Sequence, residues 1–158
     1  VSELQTPVTD LLALRQVRYR ILPHLTPAVS IEDAARQRNI SPRQMVKSIL
    51  LRDMGGNFAL ACVPGDCAAD PKKVRALLQC RRMTCVSLSE VEQVTGYQPG
   101  TVTPLQLKTE MPVIFDMQFK QMQQVTISSG SNMAGLMLDL DDLIALCNPE
   151  FAHICRDK

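Results

Sequence analysis

Two β-favouring runs of similar length, Val46–Arg52 and Phe58–Val63, flank the pair Gly55-Gly56. Short extended runs on either side of a glycine turn pair as an antiparallel hairpin. This hairpin is the firmest local signal in the chain, and Cys62 fits a small buried position in its second strand, Phe58-Ala-Leu-Ala-Cys-Val63. Alternation along the first run places Lys47 on the same face as Ile49 and Leu51. A lysine there is either a guard on an edge strand or an amine turned into a cleft, where an anionic or carbonyl-bearing ligand would partner it.

Further elements can be read on either side of the hairpin. Thr6-Pro7 starts a helix with Val8, Leu11 and Leu12 as its apolar stripe. Val17-Arg-Tyr-Arg-Ile21 alternates with period two and reads as a strand with Val17, Tyr19 and Ile21 on one side. Ser30 caps a helix over Ile31–Arg38, with Asp33 in capping-box position, and Ser41-Pro42-Arg43-Gln44 repeats the cap signal. Asp70-Pro71 starts another helix, and a short strand lies around Met83–Val86. Ser89-x-x-Glu92 marks a brief helix that stops at Gly96. Pro112–Phe115, Val125–Ile127 and Gly135–Leu140 read as strands, and Asp141 caps a last helix through Leu146. The expected class is α/β or α+β, with about seven strands in one small mixed β-barrel or curved sheet flanked by short helices.

Length and composition set outer bounds. At 158 residues the chain is expected to form one domain over 1–158, and 46% hydrophobic with 21% charged residues excludes disorder. No apolar run approaches the ~18 residues of a membrane span. Val1–Asp10 has no apolar signal-peptide core, so a cytoplasmic location is expected. Residues 1–80 carry 11 Lys/Arg against 7 Asp/Glu, and residues 81–158 carry 6 against 9. The early half can therefore present a basic face, with Arg36, Arg38, Arg43, Lys72, Lys73 and Arg75 among its sources. Six cysteines occur without a C-x-x-C, and only His24 and His153 could add imidazole ligands. That spacing argues against a disulfide framework, and no metal or cofactor is expected. A zinc site from Cys62, Cys67, Cys80 and Cys85 is the competing reading, which metal analysis would settle.

Phosphate loops of the G-x-x-x-x-G-K-[ST] type, G-x-G-x-x-G, H-E-x-x-H and G-x-S-x-G are all absent. With two histidines, a nucleophilic triad has few ways to form. What remains is a set of loops: His24 between Pro23 and Pro27, the 12-residue stretch Gly96–Leu107, and the polar turn Ser128-Ser-Gly-Ser-Asn132. A connection as long as Gly96–Leu107 in so small a chain is usually functional. Gly100 and Gly130 sit where backbone N–H groups can approach a ligand, or are simply turn residues.

Four motifs in order carry a resemblance. Ser41-Pro-Arg-Gln-Met-Val-Lys47-Ser-Ile-Leu-Leu51, Asp70-Pro-Lys-Lys-Val74, Thr95-Gly-Tyr97 with Gly100-Thr-Val-Thr-Pro104, and Ser128-Ser-Gly130 leading into Gly135–Leu140 together resemble the YbaK/EbsC family. This is the superfamily of prolyl-tRNA editing domains, and the likeness runs over roughly residues 5–155. The resemblance implies a trans-acting deacylase that hydrolyses the ester of mischarged aminoacyl-tRNA, tRNA(Pro) carrying a small non-cognate amino acid, by substrate-assisted chemistry. It implies Lys47, Gly100 and Thr101 as catalytic positions and His24, Thr103, Pro104, Ser129 and Gly130 as substrate-binding ones. The implied partners are the acceptor end of aminoacyl-tRNA and prolyl-tRNA synthetase, with neither membrane nor DNA.

The chain also departs from the Cys-tRNA(Pro)-editing branch, whose loop reads Gly-Gly-Ile-Ser-Pro-x-Gly. Thr101 stands in place of the second glycine and Gln106 in place of the last. Asn132, Met133 and Ala134 replace a basic pair, and Met137 replaces an aspartate. A changed loop changes the pocket, so the rejected amino acid stays open. The alternative is a non-catalytic tRNA- or synthetase-binding module of the same fold.

Overall fold

The structure is a computed structural model that describes residues 4–157. In chain order these form α1 (Pro7–Leu14), β1 (Tyr19–Pro23), α2 (Ile31–Arg38), β2 (Val46–Asp53), β3 (Phe58–Pro64), α3 (Pro71–Leu78), β4 (Met83–Cys85), α4 (Leu88–Thr95), β5 (Val113–Asp116), β6 (Gln124–Ser128), β7 (Ala134–Asp139), α5 (Leu140–Cys147) and β8 (Glu150–Ala152). The hairpin forms as expected, with β2 and β3 antiparallel from Val46 opposite Pro64 to Arg52 opposite Phe58. Asp53 builds its turn by accepting the N–H groups of Gly55 and Asn57, and Gly56 takes the φ of +83° that the turn requires.

Five strands lie in the order β4-β2-β3-β5-β8 and three in the order β1-β7-β6. They are two open sheets, so of the two expected forms the structure takes a sheet architecture and does not close a barrel. One isolated parallel bridge, Met45 to Thr126, links the sheets. β5 runs parallel to β3, and β8 runs parallel to β5. β3 contributes to a core on each of its faces. Leu60 and Cys62 join the main core with Val46, Leu50, Phe115, Ile127 and Leu136. Ala59, Ala61 and Val63 face a second cluster made with Val74 of α3 and Ile154.

Several boundaries differ from the sequence reading. The first strand starts at Tyr19, because Gln16 takes a φ of +57° and the Val17 N–H closes back on the Leu12 carbonyl. Its inward side then changes: Ile21 is exposed, while Leu22 and His24 are buried. The Ser41 signal yields only a 3-10 turn, Pro42–Gln44. The fourth helix is capped from Ser87 rather than Ser89, and the last from Asp139 rather than Asp141. β8 was not expected, being three residues long with no alternation to mark it.

Asp116, at the end of β5, ties the chain's last described segment to the sheet. Its Oδ1 accepts the N–H groups of Ile154 and Cys155 at 2.9 and 3.1 Å. Burial opposes its charge, but the N–H donors of Ile154 and Gln118 outweigh burial and hold the carboxyl below its ordinary range. A depressed folded-state pKa adds stability above the unfolded value, which is lost as pH falls through the folded one. Asp116→Asn is therefore expected to lower the melting temperature at neutral pH. Its deficit should shrink once pH drops below 3.8, as thermal unfolding across pH will show. Denaturant titration checks the caps. Thr6→Ala, which removes the Thr6–Thr9 capping box, should cost about 1 kcal/mol, and Ser89→Ala about 0.5 kcal/mol or less.

Candidate functional site

β2 has partners of unequal length on its two edges. β3 pairs with it over Val46–Arg52, whereas β4 reaches only Leu51–Asp53. The stretch Val46–Ile49 thus leaves one edge without a strand partner, and a cavity of about 560 Å³ opens along it. α2 and the His24 loop close one side of this cavity, and Val86, Leu88 and Val91 the opposite side. Pro99, Gly100 and Val102 come from the long loop, and Ser128, Ser131 and Asn132 from the turn before β7. A volume of this size is in the ordinary range of small-ligand sites.

Of the residues expected from sequence, His24, Lys47 and Gly100 line the cavity. Lys47 is half-buried and lies on the face of β2 shared with Ile49 and Leu51. Its Nζ donates to the Cys67 carbonyl in the turn after β3, which among the described residues leaves two of the three ammonium donors uncommitted. Gly100 has a φ of +86° within Gln98-Pro99-Gly100-Thr101, where the Thr101 N–H donates to the Gln98 carbonyl at 3.0 Å. Proline then glycine at the two central positions is the pattern of a type II turn, and any side chain at Gly100 would be strained.

Thr101, Thr103, Pro104, Ser129 and Gly130 do not line the cavity; they are buried or packed behind its wall. The Thr101 hydroxyl is spent on the Gln98 carbonyl at 2.8 Å, and the Ser129 hydroxyl donates to the Ala134 carbonyl at 2.7 Å. Gly130, with a φ of +91°, lies against the Tyr97 ring, where a Cβ would meet Cε1 at 3.2 Å. The Tyr97 hydroxyl donates to the Leu105 carbonyl, and burial pushes it up to about 12. Ser128 Oγ donates to the Thr101 carbonyl at 2.7 Å and stitches the two loops together. The Thr103 hydroxyl is fully buried and has no partner among the described residues.

The cavity holds a residue that the sequence reading assigned to an outer basic face. Arg38, from the last turn of α2, points inward; its Nε donates to His24 Nε2 at 3.1 Å and its Nη1 to Thr126 Oγ1 at 3.2 Å. His24 Nδ1 is 2.8 Å from the Asn132 carbonyl, so the ring donates from Nδ1 and accepts at Nε2. Burial, reinforced by Arg38, holds its pKa below the usual value, against the Asn132 hydrogen bond and the Asp33 charge. The sequence did carry a signal for Arg38, which follows the buried Ala34 by four residues and so shares its helix face. Among the described residues, Arg38 and Lys47 are the charged members of the lining, and none of its members is a carboxylate. Among the described residues, no group of three or more His, Cys, Asp or Glu side chains could hold a metal ion. No helix among them is long and apolar enough to cross a membrane.

Comparison with known proteins agrees with this geometry. A proline–tRNA ligase of Bacillus licheniformis is 35% identical over 108 residues, which are 68% of this chain and 18% of the ligase. The chain thus spans under a fifth of that relative. A protein of Enterococcus faecalis named "Putative Cys-tRNA(Pro)/Cys-tRNA(Cys) deacylase EbsC" is 23% identical over 126 residues, 80% of this chain and 77% of its own length. A crystal structure of "a putative trans-editing enzyme for prolyl tRNA synthetase" superposes with a TM-score of 0.84 at 20% identity, over 98% of this chain and all of that one. Residues 26–146 match the family described as "Aminoacyl-tRNA editing domain". That match takes in β2, α4, both loops and every residue of the cavity except His24, so the chain belongs to the aminoacyl-tRNA editing domain family, the YbaK/EbsC group its motifs resemble.

Proposed function

We propose that this chain hydrolyses, in trans, the ester joining a small non-cognate amino acid to the terminal ribose of tRNA(Pro). The observation that carries the reading is the cavity, with Arg38 and Lys47 among its lining residues, no carboxylate among the described ones, and a strand edge with no strand partner. Such a lining suits a substrate bearing phosphates and a polarised carbonyl, and no carboxylate among the described lining residues competes for it. The proline–tRNA ligase relatives and the EbsC relative support the substrate class. Any tRNA contact made through phosphates is weakened by salt.

The ester is already activated, so no nucleophilic side chain is required. Water adds to the carbonyl carbon, the acyl C–O bond breaks, and the ribose oxygen leaves with a proton, the neighbouring ribose hydroxyl assisting. The chain's part is to position the ester and to meet the developing negative charge with fixed donors. Lys47 is cast as an electrostatic clamp held in register by the Cys67 carbonyl, with Gly100 shaping the turn beside the ester. Thr101, Thr103, Pro104, Ser129 and Gly130 act at one remove, by fixing the loops that carry the wall.

A deacylation screen of tRNA(Pro) charged with Ala, Cys, Ser and Thr, with Pro-tRNA(Pro) as control, tests the reading. Selective release of at least one non-cognate residue is expected, and hydrolysis of none would favour the binding-module alternative. Lys47→Ala should reduce kcat/KM about a hundredfold while leaving the melting temperature near that of the parent. A variant that deacylates at the parental rate would remove Lys47 from the mechanism. For Thr103→Val, which replaces an unpartnered buried hydroxyl with a methyl group, thermal unfolding should show unchanged or raised stability.

A further inference from the structure

Three arginines among the described residues pair with acids, all at the surface, and the cavity arginine differs from them. Arg36 pairs with Asp33, Arg52 with Glu90 and Arg43 with Asp66, and the arginine side chains of these pairs are 78%, 41% and 46% exposed. Arg38 is more buried, and no salt bridge to it exists among the described residues. Its protein contacts are two neutral acceptors, His24 Nε2 and Thr126 Oγ1, and Nη2 has none among the described residues. The nearby carboxylate of Asp33 is already taken by Arg36, Gln37 and the Val29 N–H. The backbone makes room for the guanidinium: a Cβ on Gly135 would lie 2.3 Å from its Cζ and Nε. A cation withdrawn from water and left without a counter-charge is costly, and burial alone pulls its pKa down to about 10.

We propose that Arg38 is a binding residue for an oxyanion of the substrate, with His24 as the group that positions its guanidinium plane. This rests on the deacylase reading, since the cavity is the same one. The part of an aminoacyl-tRNA that offers the required chemistry is a phosphate of the acceptor end, because the α-carboxyl of the amino acid is tied up in the ester. A phosphate meets the unpartnered Nη2 edge with charge-assisted hydrogen bonds. The neutral His24 ring, donating from Nδ1 to Asn132, leaves Nε2 as an acceptor and so adds no second charge beside Arg38.

Calorimetric titration with sulfate, as a non-titrating oxyanion, tests this on the whole chain. Sulfate is expected to bind the parent, and Arg38→Gln to weaken it about tenfold or more, with Arg38→Lys in between because it keeps charge but loses the fork. Sulfate should be displaced by adenosine 5′-monophosphate, and displacement by succinate instead would count against a phosphate ligand. His24→Gln, whose amide oxygen can replace Nε2 as acceptor, should bind sulfate like the parent, and His24→Leu should not. In deacylation, Arg38→Gln should raise KM far more than it lowers kcat. Absence of sulfate binding to the parent, or equal binding by parent and folded Arg38→Gln, overturns the proposal. Arg38-dependent sulfate binding with no hydrolysis of any charged tRNA would leave this site standing and sink the deacylase reading instead.

Discussion

The pairing of β2 with β3 is the interaction on which the rest of the molecule depends. β3 is apolar throughout, so it draws a core to each of its faces, and those two cores recruit nearly every other element. β2 shares that ladder on one edge, yet its other edge meets β4 for only three residues. The remaining edge is held open by α2 and the His24 loop on one side and by α4 and the Pro99–Val102 loop on the other. The cavity is thus the unfilled half of a strand's bonding capacity, framed by elements that pack elsewhere.

The charges of that cavity follow from which acids are absent. Arg36, Arg43 and Arg52 are matched to carboxylates, while the inner guanidinium is matched to a neutral ring and a hydroxyl. The same low-polarity surroundings that push His24 toward its neutral form make an unpaired cation attractive to any anion small enough to enter. Lys47 works under a different constraint. Its amine is anchored by a backbone carbonyl, so its direction is set by the turn after β3 rather than by another side chain.

Much of this was legible from residues alone. The hairpin and its Gly55-Gly56 turn, the face of Lys47, the helices begun by Thr6-Pro7, Ser30 and Asp70-Pro71, and the long loop carrying Gly100 all announce themselves through spacing and turn chemistry. The site was half legible. Thr101, Thr103 and Ser129 looked like ligand-facing hydroxyls, but loops bring their own carbonyls within reach, and two of the three hydroxyls are consumed there. Arg38 was read as surface charge because α2 is short and carries three charged residues in its last six positions. Its inward aim depends on a missing side chain far along the chain, at Gly135, which no local pattern reveals. β8 lacks any signal of its own, since its pairing with β5 is decided by where α5 ends.

The sparse link between the two sheets has a consequence for how this scaffold diversifies. Among the described residues a single bridge, Met45 to Thr126, joins them by backbone. The width of the chamber is therefore governed by side-chain bulk at places such as Met45, Val86 and Val102, and not by any ladder. Trimming or enlarging those groups resizes the binding space without severing a strand pairing. One architecture can in this way be retuned from one small ligand to another by a few substitutions, while its framework stays intact.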